Sequence, residues 1–244
     1  TMLLSGIMLK MGLYSVIRWQ LPLAPHAAIE YKNWWIGLGL AGVIYGAIVA
    51  LRQKDLKKLL AYSSLSHVGI IAAGIYTLSL DGLRGAVMQM IAHGFVVVGL
   101  FLAAEVIYRR YQTHVISEMG GIRAQAPRFT SLFMLLVLAS VALPSTFNFV
   151  GEFTVLYSLF TCNIWFALLG GLTIILGAYY MLKMFQHVML GETNTKIFKD
   201  VTFNEGLSLV IIIAVLFFFG LYPKPIMELI TPSLENILTQ INRN

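Results

Sequence analysis

The chain has 244 residues, of which 58% are hydrophobic and 11% charged, with a formal net charge of +6 and a mean hydropathy of +0.80. A soluble domain carries roughly 25% charged residues and a disordered chain needs low hydrophobicity with high charge, so both classes are excluded. The apolar residues come in long blocks rather than in short-period alternation, which argues against an outer-membrane barrel and for an all-α, polytopic membrane helical bundle.

A bilayer core about 30 Å thick needs about 20 apolar residues per helix. Seven blocks meet that need, the first cut short: 2–18, 34–51, 57–79, 85–108, 129–159, 164–189 and 207–222. Residue 1 is Thr, an apolar stretch starts at once and no basic leader region precedes it, so the expectation is a chain truncated at its N-terminus. No soluble domain or low-complexity segment interrupts the blocks, and one membrane domain over 1–244 is expected. The fifth block runs 31 residues, too long for an ordinary span at 1.5 Å per residue. Its interior reads Leu143-Pro144-Ser145-Thr146-Phe147-Asn148 and then Val150-Gly151-Glu152. Proline removes a backbone donor and clashes with the preceding turn, so the helix is expected to break there. Broken helices at membrane depth need protein or water around the freed backbone, and they point to ion sites in transporters built from inverted repeats. A long, proline-kinked, tilted helix is the plainer alternative.

Orientation follows from Lys and Arg on alternate connections. The second, fourth and sixth hold Arg52, Lys54, Lys57, Lys58, Arg109, Arg110, Arg123, Arg128, Lys196 and Lys199. The others and the tail hold Arg18, Lys32, Arg84, Lys224 and Arg243. Ten against five places the even connections in the cytoplasm and the C-terminus outside. The basic excess thus reads as cytoplasmic loops, and no nucleic-acid partner is expected. Trp19, Trp34, Trp35 and Tyr222 sit where interfacial aromatics belong. Glu105 and Arg109 form a helix-end pair four residues apart, and Gly120-Gly121 reads as a turn.

Five ionisable residues fall inside the blocks: Lys10, His67, His93, Glu152 and Lys183. A charge at mid-membrane costs at least about 2.5–3.5 kcal/mol on insertion scales, so such residues default to functional sites. Each has a plainer reading. A membrane histidine can be neutral and bonded to a neighbouring helix, Lys183 can snorkel to the surface, and Lys10 and Glu152 can be structural counter-ions. Several helices each supplying one deep titratable group favour a proton relay, with nearby serines and tyrosines as further carriers. Two histidines on successive helices also allow axial ligation of a haem. The single cysteine, Cys162, excludes a disulfide framework, a Cys-based zinc site and an iron–sulfur cluster. No phosphate-binding loop and no nucleophile–base constellation is present, so no catalytic, cofactor-binding or metal residue is assigned.

The residues Leu9-Lys10 with Tyr14 and Arg18, Asp55 to Ser64, Ser66-His67-Val68-Gly69, Gln89 to Gly94, Met119-Gly120-Gly121 and Asn148 to Phe153 form a recognisable set. Through essentially its whole length the chain resembles the antiporter-like membrane subunits of respiratory complex I, the proton-pumping NADH:quinone oxidoreductase. The wider family includes multisubunit sodium/proton antiporters and membrane hydrogenases. The glutamate of the broken helix resembles the M type, since L- and N-type relatives usually carry lysine there. The resemblance implies that the chain starts early in the eighth of fourteen family helices. An inverted five-helix repeat would then occupy 34–189, with 1–20 the preceding helix and 207–222 the terminal one. The connecting lysine maps onto Lys10, the relay histidines onto His67 and His93, the broken-helix carboxylate onto Glu152, and Lys183 becomes the repeat-related counterpart of Lys10. The family's glutamate–lysine pair on the fifth and seventh helices is absent, so this stretch alone is not expected to pump. The implied activity is a subunit of a proton translocase, with no redox chemistry on this chain. NADH, FMN, iron–sulfur clusters and quinone would belong to partner subunits. The implied partners are the other membrane subunits, especially neighbouring antiporter-like ones, and the lipid bilayer, with a bacterial inner membrane as the location.

Magnitudes bear on such a relay. Two charges roughly 10 Å apart at an effective dielectric near 20 interact by about 1.7 kcal/mol. Moving one charge against, for illustration, about 180 mV costs about 4 kcal/mol. At that spacing one neighbour does not suffice, and a row Lys10–His67/His93–Glu152 is expected, with Glu152 the terminal group near the outward exit as the resemblance implies.

Overall fold

The computed structural model describes residues 2–191 and 197–243. Thr1 and Lys196 lie outside the described residues, as does the side chain of Arg243. Among the described residues no strand forms, only an isolated bridge between Asp55 and Val115. The first block is one helical run in which α1 (Leu9–Ser15) is flanked by π-helical turns Leu4–Met8 and Val16–Gln20, with α2 (Leu21–Leu23) at its end. Then follow α3 (Pro25–Glu30), α4 (Lys32–Leu51), α5 (Leu56–Ile75), α6 (Leu80–Tyr111), α7 (Ile122–Gln125), α8 (Pro127–Ser140), α9 (Phe147–Cys162), α10 (Ile164–Met189), α11 (Phe203–Leu221) and α12 (Lys224–Arg243). Among the described residues α4, α5, α6, α10 and α11 are long and apolar enough to cross a membrane singly. The fifth block divides into α8 and α9.

Local chemistry sets several boundaries. Asp55 accepts from the Lys58 amide at 2.9 Å and starts α5, and Ser79 accepts from the Gly82 amide at 3.0 Å and starts α6. Asn163 accepts from the Trp165 amide at 2.9 Å and starts α10, and Thr202 with Glu205 forms a capping box on α11. These side chains satisfy helix-start amides that have no partner within the helix. The break between α8 and α9 starts two residues before Pro144. Ala142 takes a left-handed φ of 54°, and the Ala142 and Leu143 amides bond back to the Ala139 and Leu138 carbonyls at 3.3 and 3.1 Å. This is the Schellman geometry, with alanine where glycine is usual. Gly220 of α11 lies directly against the Ser145 and Thr146 backbone, so part of the irregular segment is covered by protein, as a break at membrane depth requires.

Interhelical packing relies on small residues, as expected where lipid removes the hydrophobic drive between helices. A Cβ at Gly39 of α4 would lie 2.8 Å from the Gly69 carbonyl of α5, and one at Gly46 would lie 2.8 Å from the Ser66 amide. The long α6 packs against α5, α8, α9, α11 and α12 and forms the centre of the bundle. The apolar-block reading missed α12, which is amphipathic rather than uniformly apolar. It buries Leu234, Ile237 and Ile241 in the same cluster as Leu21 and Ala28, and Arg84 donates to Thr231 at 2.9 Å.

The basic connections gather at one end. The Leu56 amide bonds the His114 carbonyl at 2.8 Å, and the Ile116 amide bonds the Lys54 carbonyl at 2.8 Å. Arg110 donates to Glu205 at 2.8 Å and to the Lys199 and Asp200 carbonyls at 2.6 and 3.2 Å. Arg109 meets Glu105 at 3.2 Å, as the four-residue spacing anticipates. Gly121, at φ 64°, turns the chain into α7. Trp19, Trp34, Trp35 and Tyr222 are exposed at the opposite end.

Candidate functional site

Four of the five singled-out residues are buried: Lys10 in α1, His67 in α5, His93 in α6 and Glu152 in α9, with Glu152 only 1% exposed. His67 Nδ1 lies 2.8 Å from Glu152 Oε1, a close contact without the alignment of a hydrogen bond. Gln89 Nε2 donates to the same carboxylate oxygen at 2.9 Å. The rings of His67 and His93 are 4.9 Å apart between centroids and tilted by 47°. Glu152, His67 and His93 therefore form one continuous buried cluster drawn from three helices. A haem held between the histidines does not fit, because rings this close leave no room for an iron and a porphyrin.

Gly151 makes the contact with Gln89 geometrically possible. A Cβ there would lie 2.7 Å from the Gln89 amide nitrogen and 2.8 Å from its Cα, so only glycine lets α9 come this close to α6. The next residue is Glu152, which the approach carries onto Gln89 and His67. Sequence reasoning quoted Gln89 in a motif and gave it no role, although a signal was present. Ser63 and His67, Gln89 and His93, and Asn148 and Glu152 are polar pairs four residues apart, a spacing that puts both members on one helical face. Asn148 is fully buried, and among the described residues both of its side-chain polar atoms lack a hydrogen-bond partner, as does His93 Nδ1.

Lys10 sits at the edge of this cluster. Its ammonium donates to the Ser5 carbonyl in the first π-helical turn, a backbone irregularity frequent at functional positions. It lines a cavity of about 510 Å³ with Met90 and Gly94, which flank His93 on α6. Lys183 is not part of the group. It is exposed near the basic end of α10, with its ammonium 5.5 Å from the Tyr179 ring centroid. Tyr180, one of the tyrosines beside the ionisable residues that the sequence offers as further carriers, is buried and shares a 2.9 Å hydrogen bond with Ser63. Among the described residues no group of three His, Cys, Asp or Glu side chains is placed to hold a metal ion.

A cluster of neutral and ionisable groups in mutual contact, inside a helical bundle and beside a broken helix, is suited to holding and passing protons. The family model for the transmembrane region of NADH:quinone oxidoreductase and Mrp antiporters matches residues 1–177. The chain belongs to this family. It is 42% identical over 241 residues to NADH-quinone oxidoreductase subunit M of Rickettsia typhi, covering 98% of this chain and 49% of that protein. It is 32% identical over 241 residues to NADH-ubiquinone oxidoreductase chain 4 of Marchantia polymorpha, again covering 98% and 49%. The chain thus spans about half the length of the curated relatives it matches. Among solved structures it is similar to a chain of respiratory complex I from Thermus thermophilus, with a TM-score of 0.90, 31% identity and coverage of 95% of this chain and 50% of that one. A chain of the Mrp complex from Dietzia sp. DQ12-45-1b shares the fold, with a TM-score of 0.86 at 17% identity and coverage of 95% and 53%.

Proposed function

We propose that this chain is part of a proton-translocating, antiporter-like subunit of NADH:quinone oxidoreductase, with protons held and passed by Lys10, His93, His67 and Glu152. The observation that carries the reading is the contact of Glu152 with His67 at 2.8 Å, with His93 against His67, all three buried. Subunit M relatives matched over nearly the whole chain support the assignment to that enzyme rather than to a sodium/proton antiporter, because the likeness to the Mrp chain, at 17% identity, speaks for fold only.

The observed spacing alters the energetics expected from sequence. At 2.8 Å and an effective dielectric near 20, opposite charges on His67 and Glu152 attract by about 6 kcal/mol before desolvation is subtracted. That gross attraction is of the same order as the cost of about 4 kcal/mol for moving one charge against 180 mV, and the desolvation that burial imposes reduces it. Lys183, distant from the cluster, would act at the surface rather than in the buried row. The basic end would face the cytoplasm, which puts α12 on the outer side of a bacterial inner membrane. Redox cofactors and quinone would lie in partner subunits.

The test is Glu152→Gln in the assembled enzyme. It removes the titration while leaving a hydrogen-bonding side chain of the same size. Proton translocation per NADH oxidised should fall while electron transfer to artificial acceptors stays near wild type. An unchanged proton stoichiometry would rule out the role assigned to Glu152.

A further inference from the structure

The buried cluster needs a route to one aqueous face. A cavity of about 400 Å³ opens at the basic end, lined by Arg52, Lys54, Lys183, His187, Ser117 and Tyr180 among others. Tyr180 closes its inner wall, and the tyrosine hydroxyl reaches through to Ser63 at 2.9 Å. Ser63 lines a second, much smaller cavity of about 10 Å³ together with His67, His93 and Ser140. That volume holds about one water molecule, and His93, whose Nδ1 has no hydrogen-bond partner among the described residues, is part of its wall. Ser63 and His67 are one turn apart on the same face of α5. Tyr180 lines the outer cavity and Ser63 the small one, so their hydroxyl contact joins the two cavities, and the small one reaches His67 of the Glu152 contact.

We propose that this is the proton uptake route from the basic end, with the Tyr180–Ser63 hydroxyl pair as its narrowest point. The proposal rests on the reading of the Glu152 cluster as a proton relay. Two neutral hydroxyls in direct contact pass a proton by exchange. As Tyr180 Oη takes a proton from the outer side, its own hydroxyl proton passes to Ser63 Oγ. The Ser63 proton then moves to the water beside His67 and His93, and that water gives up a proton to a histidine. Each oxygen ends neutral with its hydrogen bond reversed, and both hydroxyls rotate back before the next transfer. Either oxygen of the pair can be the donor at this separation, as such a reversal requires. The outer cavity carries its own proton carriers. His187 Nδ1 lies 2.7 Å from the Lys183 carbonyl. Because a carbonyl only accepts, Nδ1 holds the hydrogen and Nε2 is left to take a proton from water. This gives Lys183 a place in the pathway at the mouth instead of in the buried row.

The experiment uses the assembled enzyme in sealed membrane vesicles and compares Tyr180→Phe, Ser63→Ala and Ser63→Thr with wild type. Phenylalanine retains the packing of the ring and removes the hydroxyl. Loss of one positioned proton carrier should slow NADH-driven proton uptake by about tenfold or more, and the solvent deuterium isotope effect on turnover should rise because proton transfer becomes limiting. Ser63→Ala should behave like Tyr180→Phe, whereas Ser63→Thr, which retains a hydroxyl, should restore most of the rate. A merely structural hydroxyl pair would lower the amount of assembled enzyme without changing the isotope effect, and that result overturns the proposal. So do wild-type pumping and isotope effect in Tyr180→Phe. Loss of pumping in Glu152→Gln with none in Tyr180→Phe would sink the uptake route alone, and no loss in Glu152→Gln would sink the relay beneath it.

Discussion

Gly151→Ala tests the packing that creates the site without touching a titratable group. The new Cβ would stand 2.7 Å from the Gln89 amide nitrogen, and an ordinary van der Waals contact starts at 3.4 Å, so the helices must part by about 0.7 Å. The clash is with backbone, so no side-chain rotation relieves it. Overpacking of this kind costs typically about 1–3 kcal/mol. A displacement of that size also takes the 2.9 Å hydrogen bond from Gln89 to Glu152 beyond hydrogen-bonding reach, which ends near 3.2 Å for N–H···O. The assay is NADH-driven acidification of inverted vesicles, with assembled complex measured on native gels and electron transfer to an artificial acceptor as the control. Gly151→Ala should lower the quantity of protons moved per NADH and the melting temperature, with acceptor reduction per assembled complex unchanged. Gly171→Ala is the comparison, since nothing lies within 4 Å of its Cβ, and it should match wild type. Should Gly151→Ala pump and melt as Gly171→Ala does, the close approach of α9 to α6 is not what sets the site.

Two further predictions concern stability. Arg110→Ala removes the partner of the partly buried Glu205 and three carbonyl contacts, and should cost about 1.5–3 kcal/mol. Thermal exposure of the free Cys162 thiol to a reactive dye reads it out, and an Arg110→Ala melting curve on top of the wild-type one would refute the clamp. Ser145 is exposed and holds a φ of 84°, a conformation that costs a non-glycine residue about 1–2 kcal/mol. Ser145→Gly should therefore raise the melting temperature by a few degrees, and a fall would show that the hydroxyl or side chain holds the break together.

The broken helix shows how far a one-dimensional reading carries. Pro144 cannot continue a helix, and the 31-residue block was too long to be one span, so a break was legible. Its boundary was not, because Ala142 and the Schellman bonds end α8 before the proline is reached. The amphipathic α12 escaped because block hydropathy registers only helices that are apolar on all sides. Lys183 shows another limit: it lies inside a candidate span, but its position on α10 turns it to the exposed face and leaves it outside the buried cluster.

The intramembrane titratable groups were visible in the sequence alone, since the cost of burying charge makes each stand out against an apolar block whatever its neighbours are. Membrane placement, helical class and the concentration of Lys and Arg on alternate connections follow from composition and spacing in the same way. Which of those groups touch was decided by the tertiary structure. Gly151 and Gln89 are far apart in the chain, and only their backbone contact brings Glu152 to His67, just as only the approach of α10 to α5 joins Tyr180 to Ser63. Contacts between helices depend on rotation and depth, which pairs of distant small residues set jointly and no single stretch of sequence encodes.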